Sequence, residues 1–553
     1  MEIATPATFA TPGSAGAFNP WRPTLVLVAV IISLPVLVIV ASLFQPFSPA
    51  WAHLLDTVLA DYVVNSLLLM LGVGIGTFVL GVAAAWLTTL CEFPGRRFFS
   101  WALLLPMAMP AYIIAYTYTG LLDFSGPLQS GLRDTFNWRY GDYYFPEIRS
   151  LGGAICMLSL VLYPYVYLLV RVAFLEQSTA VLEASRSLGK TATQTFFQVA
   201  LPMARPAIVA GVSLALMETL ADYGTVDYFG VSVFTTGIFR TWYGLGELGT
   251  AAQLAAFLLV FVFVLIVLER WSRRRLRFHS SAASRHLSRI PLRGTSAAAA
   301  FGVATIMLAL GFAIPAGQLA LWTAGNWQHN LDLDFLQLVV NSFGLAAVAA
   351  LCCLGVALLL GYGKRLKPAP LEVSAVRVSA MGYAVPGTVI AVGVLIPFAW
   401  LDNRIDDLAR DWFGVSTGLL LSGTLLALVF AYVVRFLSVS LQAVESGLAR
   451  IRPSLDESAR SLGQSPAGVL RRIHLPMLRG SLLTALLLVF VDVLKELPTT
   501  LILRPFNFNT LAVRTYELAS DERLADAALP ALAIVIIGLL PVIVMTRTIG
   551  RRS

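Results

Sequence analysis

The sequence predicts an all-α polytopic membrane protein of about twelve transmembrane helices, arranged as two six-helix parallel repeats. Three observations predict it. The chain is 58% hydrophobic and only 13% charged, apolar runs recur near the length a bilayer requires, and a set of short motifs is written twice.

The chain has 553 residues and a mean hydropathy of +0.78. A soluble chain carries roughly a quarter charged residues, about twice the share here. Candidate spans are centred in residues 24–44, 62–88, 99–122, 151–175, 206–222, 251–269, 297–321, 337–362, 373–400, 418–440, 481–498 and 527–546. The first ~23 residues lack the basic region of a secretory signal, so the first span is expected to be retained.

Lys and Arg placement sets the orientation. With the amino terminus inside, the inside segments hold most of the 39 basic residues, while the outside loops carry acids such as Asp402, Asp406, Asp407 and Asp411. Both termini are therefore expected in the cytoplasm, and the formal charge of +8 is a topology signal. Basic residues that flank membrane spans exclude a nucleic-acid partner and point to the lipid bilayer. The densest run, ERWSRRRLRFHSSAASRHLSRIPLR at 269–293, reads as a cytoplasmic linker that holds its flanking helices or touches anionic lipid. Cys91, Cys156, Cys352 and Cys353 lack CxxC spacing, so neither zinc nor a disulfide is implied.

The duplication runs the length of the chain. VVNS occurs at 63–66 and 339–342, and Pro110 of MPAY answers Pro386 of VPGT. EASRSLG (183–189) answers ESARSLG (457–463), LPMARPAI (201–208) answers LPMLRGSL (475–482), and FRTWY (239–243) answers VRTYE (513–517). Six spans per half is an even number, so the halves share one orientation, related by an axis along the membrane normal with a path between them. The expected division is a tail at 1–23, a first repeat at 24–270, a linker at 271–296, a second repeat at 297–547 and a tail at 548–553.

Between the fourth and fifth spans of each half lies a loop expected in the cytoplasm. It carries Glu183, Ala184, Gly189, Leu201 and Pro202 in the first copy, and Glu457, Gly463, Leu475 and Pro476 in the second. Small residues after the Glu let a short helix press against a partner, the Gly permits a sharp turn, and the Pro suits the first turn of the next helix. The pattern resembles the EAA loop of ABC-importer permeases, which implies docking to an ATPase subunit. Ser458 and Ser185 depart from it by small-for-small exchange, and Val199 by an aliphatic one. GKT at 189–191 is no phosphate loop, because Ala184 stands where the first Gly belongs. GVGIG at 72–76 sits inside a span, where its glycines are expected to let helices approach closely.

Past each loop the chain re-enters the membrane with acids. Glu218 aligns with Asp492 and Asp222 with Glu496. Each i,i+4 pair is expected on one face of a helix, about 18 and about 24 Å into the span at 1.5 Å per residue. Intramembrane acids mark ion or substrate paths by default, and carboxylates suit a hard cation such as Fe(III). No stable metal site is expected, only transient contact at these acids. The other reading is interhelical pairing with groups such as Arg504 or Arg240. Lys495 either pairs with an acid or snorkels to the interface. Tyr223, Tyr228, Thr499 and Thr500 read as further path residues or as interfacial and packing groups.

The segments ETLADYGTVDYFG, FTTGIFRTW and DVLKELPTTLILRPFNFNTLAVRTYELASDE resemble the ferric-iron permeases of ABC importers, over nearly the whole chain. That resemblance implies a transport subunit rather than an enzyme, in a bacterial inner membrane. It also implies two copies of an ATPase subunit that bind ATP and magnesium, and a periplasmic ferric-binding protein, with no cofactor on this chain. Arg240 and Arg514, matched in the repeats, are expected to touch the binding protein or to cap an outer helix. Competing readings are the same machine with thiamine or a phosphonate as cargo, and an ion-coupled secondary transporter.

Overall fold

The computed structural model describes residues 21–139, 141–176, 185, 187–274, 289–366 and 368–550. Most of them are helical, and ten helices are long and apolar enough to cross a membrane. In the first half these are Trp21–Ser42, Leu59–Leu90, Leu151–Leu175, Thr193–Ala221 and Leu248–Trp271. In the second they are Thr295–Gln328, Leu333–Leu366, Gly387–Phe413, Leu425–Ala449 and Pro466–Leu494. The protein is a multi-pass membrane protein. Residues 1–20, 275–288 and 551–553 of the expected tails and linker lie outside the described residues.

Three expected spans are modified. The third is broken, its parts Arg96–Ala108 and Ala111–Phe136 meeting at 93°. The twelfth is apolar only over the shorter stretch Ala528–Ile543. The ninth, expected at 373–400, combines a helix at Pro370–Ser379, a 3-10 turn at Ala380–Ala384 and a membrane helix that starts only at Gly387. Both breaks have one cause. Pro110 and Pro386 adopt the same extended backbone, φ −58°, ψ 143° and φ −55°, ψ 143°, directly before a helix. Proline cannot continue an incoming helix, yet its fixed φ starts a new one easily. Hydropathy is continuous across such a break and does not reveal it.

The fifth and eleventh spans start earlier than expected, because helix already runs from Thr193 and from Pro466. Each passes through one wide π turn, Phe196–Ala200 and Leu470–His474, at the same place in the repeat. Leu201 N–H reaches back to Phe196 O and Leu475 N–H to Leu470 O. Pro202 and Pro476 follow directly, so the residue that would break an α-helix sits where the ladder is already shifted.

Close approaches within and between the halves define the packing. Within the first half, Gly72 and Gly76 press Leu59–Leu90 onto Leu151–Glu176. A β-carbon on Gly72 would lie 2.6 Å from Ile155 Cδ1, and one on Gly76 would collide with Ser159 Oγ. Between halves, the first helix of each reaches the other. Trp21–Ser42 packs on Gly387–Phe413, and Ile314–Asn330 packs on Ala111–Leu122. Just before this second contact, Tyr118 Oη donates to Leu310 O at 2.7 Å. The linker returns to the first half as Ile290–Pro291, paired in parallel with Cys91–Glu92.

Candidate functional site

The four path candidates share one cavity of about 120 Å3, walled by both halves. They do not reach it as i,i+4 pairs on one helix face, and that expectation is corrected. The helix Leu201–Ala221 ends before Asp222, and Leu475–Leu494 ends before Glu496. Glu218 and Asp492 therefore sit on the last turn of a long helix, whereas Asp222 and Glu496 lie in the break beyond it. There each acid caps a short second helix, Gly224–Tyr228 or Pro498–Leu503.

Asp222 accepts from Thr225 N at 3.1 Å, Thr225 Oγ1 at 3.0 Å and Val226 N at 3.2 Å. Glu496 accepts from Thr499 N at 3.2 Å and Thr499 Oγ1 at 2.6 Å. An acid three residues before a threonine thus performs the same local task in both repeats, satisfying donors that a helix start leaves open.

The ion pairs differ from the expected ones. Arg504 pairs with Glu517 at 2.8 Å and Arg240 with Asp227 at 3.8 Å, so neither holds a cavity acid. Arg514 also turns to Glu517, at 3.8 Å. Lys495 does not snorkel away; its Nζ lies 2.8 Å from Asp492 Oδ1. The partner of Glu496 is Arg435, Nε to Oε2 at 3.5 Å, both side chains being buried. Arg435 is missing from the sequence reading, although a lone Arg inside an apolar span is itself a signal. Its repeat counterpart, 274 residues earlier, is Val161, and that of Lys495 is Ala221; both line the same cavity. The acids are duplicated and the cations are not. Tyr112, Tyr165 and Tyr383, also missed, complete the polar wall. Thr499 and Thr500 are buried here, Thr500 Oγ1 donating to Glu496 O at 2.7 Å.

Gly387 is the residue that lets Arg435, Glu496 and Thr499 meet. A β-carbon there would lie 2.5 Å from Thr499 Oγ1 and 2.7 Å from Glu496 Oε1, and would collide with Arg435 Nη1. Gly387→Ala is expected to destabilise by about 1–3 kcal/mol, the usual cost of overpacking. A lowered thermal midpoint of the detergent-solubilised protein checks this, and an unchanged midpoint would refute it.

Of the loop residues, Glu183 and Ala184 lie outside the described residues. Gly189 and Gly463 adopt φ of +77° and +78°, a left-handed turn that suits glycine, in both copies. Glu457 is exposed on the short helix Pro453–Ser461. Leu188 and Leu462, each just before the turn glycine, are 79% and 82% exposed. Leu201 and Leu475 begin the long helices, with Pro202 and Pro476 next. The second loop has an anchor of its own. Asp456 accepts from Arg365 Nε at 2.8 Å and lies 2.6 Å from His474 Nε2, where the first copy has Leu182, Thr89 and Ala200.

Two helical repeats that enclose a charged cavity and present matching exposed loops define a membrane transport subunit. The family model for the inner membrane component of binding-protein-dependent transport systems matches residues 78–278 and 353–552. The chain belongs to that family, as a permease subunit of an ABC importer. The Fe(3+)-transport system permease protein FbpB 2 of Haemophilus influenzae is 26% identical over 499 residues, covering 88% of this chain and 90% of the relative. The putative ferric transport system permease protein FbpB 1 of the same organism is 26% identical, covering 84% and 74%. The sulfate transport system permease protein CysT of Salmonella typhimurium is 29% identical over 219 residues, 38% of this chain and 73% of the relative.

Proposed function

We propose that this permease carries ferric iron. The observation that carries the reading is the cavity: four repeat-related carboxylates face two cations, a surplus of negative oxygen where the halves meet. Carboxylates are hard ligands suited to a hard cation, and an oxyanion such as sulfate would favour the opposite balance. The two Haemophilus relatives, similar over most of the chain, are named ferric permeases, while the sulfate permease matches over 38% of it.

In this reading the chain sits in a bacterial inner membrane with both termini cytoplasmic, divided into repeats at 24–270 and 297–547 with the basic linker between them. Two ATPase subunits dock on the loops around Gly189 and Gly463. ATP and magnesium bind to those subunits, and this chain holds no cofactor. A periplasmic ferric-binding protein delivers the ion from the other side. ATP-driven closure draws the two loops together and rocks the halves, turning the cavity outward; hydrolysis returns it. Such coupling requires the two states to differ in affinity for the partners. Exposed leucines at matching places support the docking role, because a large apolar side chain on a polar loop gains free energy when a partner covers it.

The test is radioiron uptake into proteoliposomes holding the permease, its ATPase and a ferric-binding protein. Wild type is expected to accumulate iron with ATP, and the Glu218→Gln, Asp492→Asn double variant to lose uptake while still assembling. A well-assembled wild type without uptake would overturn iron as the cargo. Equal loss of uptake and assembly in the variant would make the acids structural.

A further inference from the structure

Within that reading, the four acids of the cavity are not equivalent. Asp222 is engaged by Thr225 and Val226, Glu496 by Thr499 and Arg435, and Asp492 by Lys495. Glu218 makes no ion pair among the described residues. Its neighbour is the Tyr383 hydroxyl, close in turn to that of Tyr165, and the two tyrosines line the cavity from opposite halves. A separate feature marks the same wall as a place for a ligand. Tyr112 is only 6% exposed, lines the cavity, and its hydroxyl has no hydrogen-bond partner. An unsatisfied buried hydroxyl costs roughly 1–3 kcal/mol unless something meets it. The cavity has room for several waters or a partly hydrated ion.

We propose that a trivalent hard cation in transit is received by Glu218 and the phenol oxygens of Tyr383, Tyr165 and Tyr112, while Arg435 and Lys495 hold the second-half acids out of its coordination. The charge of Glu218 draws the ion in. Glu218 and the phenol oxygens take the places of metal-bound waters, which return to the cavity, so each new metal–oxygen bond replaces a metal–water bond. No electron is transferred. On release water re-enters the shell of the ion, and the site never holds the ion with a full set of carboxylates. This proposal rests on iron as cargo, but the receiving face can be tested without transport.

The probe is terbium(III), a trivalent, redox-inert, oxygen-seeking ion whose emission is sensitised by nearby tyrosine. Wild-type permease in lipid nanodiscs is titrated and the sensitised emission read. Tyr383→Phe and Glu218→Gln are each expected to weaken terbium binding about tenfold or more. The Asp492→Asn, Lys495→Met double variant, which removes one ion pair, is expected to lose less than either. Tyr383→Phe deletes only a hydroxyl, and monodisperse elution establishes that it folds. Absent sensitisation in wild type, unchanged affinity in Tyr383→Phe and Glu218→Gln, or a larger loss in the double variant would each overturn the receiving face. None of these touches the uptake result, on which iron as cargo stands or falls.

Discussion

Arg435→Met is expected to cost the protein about 3–5 kcal/mol, because it strands the buried carboxylate of Glu496 without its cation. Arg435 and Glu496 are 7% and 6% exposed, so neither can turn to bulk water when the other is lost. The fall should appear as a lowered thermal midpoint and a lower yield of monodisperse protein. Adding Glu496→Gln removes the stranded charge while keeping an oxygen to accept from Thr499, so the double variant should regain most of the loss. A single variant as stable as wild type, or a double variant worse than the single, would show that the pair does not hold the cavity wall together.

The second large effect is expected at the loops. Leu188→Asp with Leu462→Asp should abolish copurification of the ATPase subunits and reduce ATP-driven uptake to background. Both leucines stand out from the protein just before a left-handed glycine, so neither contributes to its own core. Covering one such side chain stabilises a complex by about 1.5–3 kcal/mol, and a carboxylate in its place would be buried without a partner. The thermal midpoint of the isolated permease should not move. Normal ATPase association by the double variant would remove these loops from the docking surface. The residues of the anchor Arg365–Asp456–His474 are replaced by Thr89, Leu182 and Ala200 at the aligned positions of the first half, so Leu462→Asp alone reports on a loop tied firmly to the membrane helices.

Much of the site is legible as residue types. Glu218, Asp222, Asp492 and Glu496 stand out because charges in an apolar run are conspicuous and because the chain repeats them. Gly189 and Gly463 are legible as turns for the same reason. What fails is the assumption that an unbroken apolar run is an unbroken helix. The chain stops its helices at Ala221 and Leu494 and restarts them at Gly224 and Pro498. That break turns an expected i,i+4 pair into one acid on a helix and one acid capping the next. Arg435 is legible in principle, as a lone Arg in a span, but its partner is not, since 61 residues of sequence separate it from Glu496.

The sequence by itself determined that the chain spans a membrane, that it is two parallel repeats, and which acids and loop glycines recur in both. Those properties follow from composition, period and duplication, which are local or additive along the chain. Only the tertiary structure decided that Pro110 and Pro386 break their spans, that Arg435 and Lys495 neutralise acids of one half alone, and that four tyrosines, Tyr112, Tyr165, Tyr223 and Tyr383, share the cavity with Glu218. Pairing of a buried charge depends on which groups the fold brings within about 4 Å, where the interaction is strong, and no spacing along the chain states that distance.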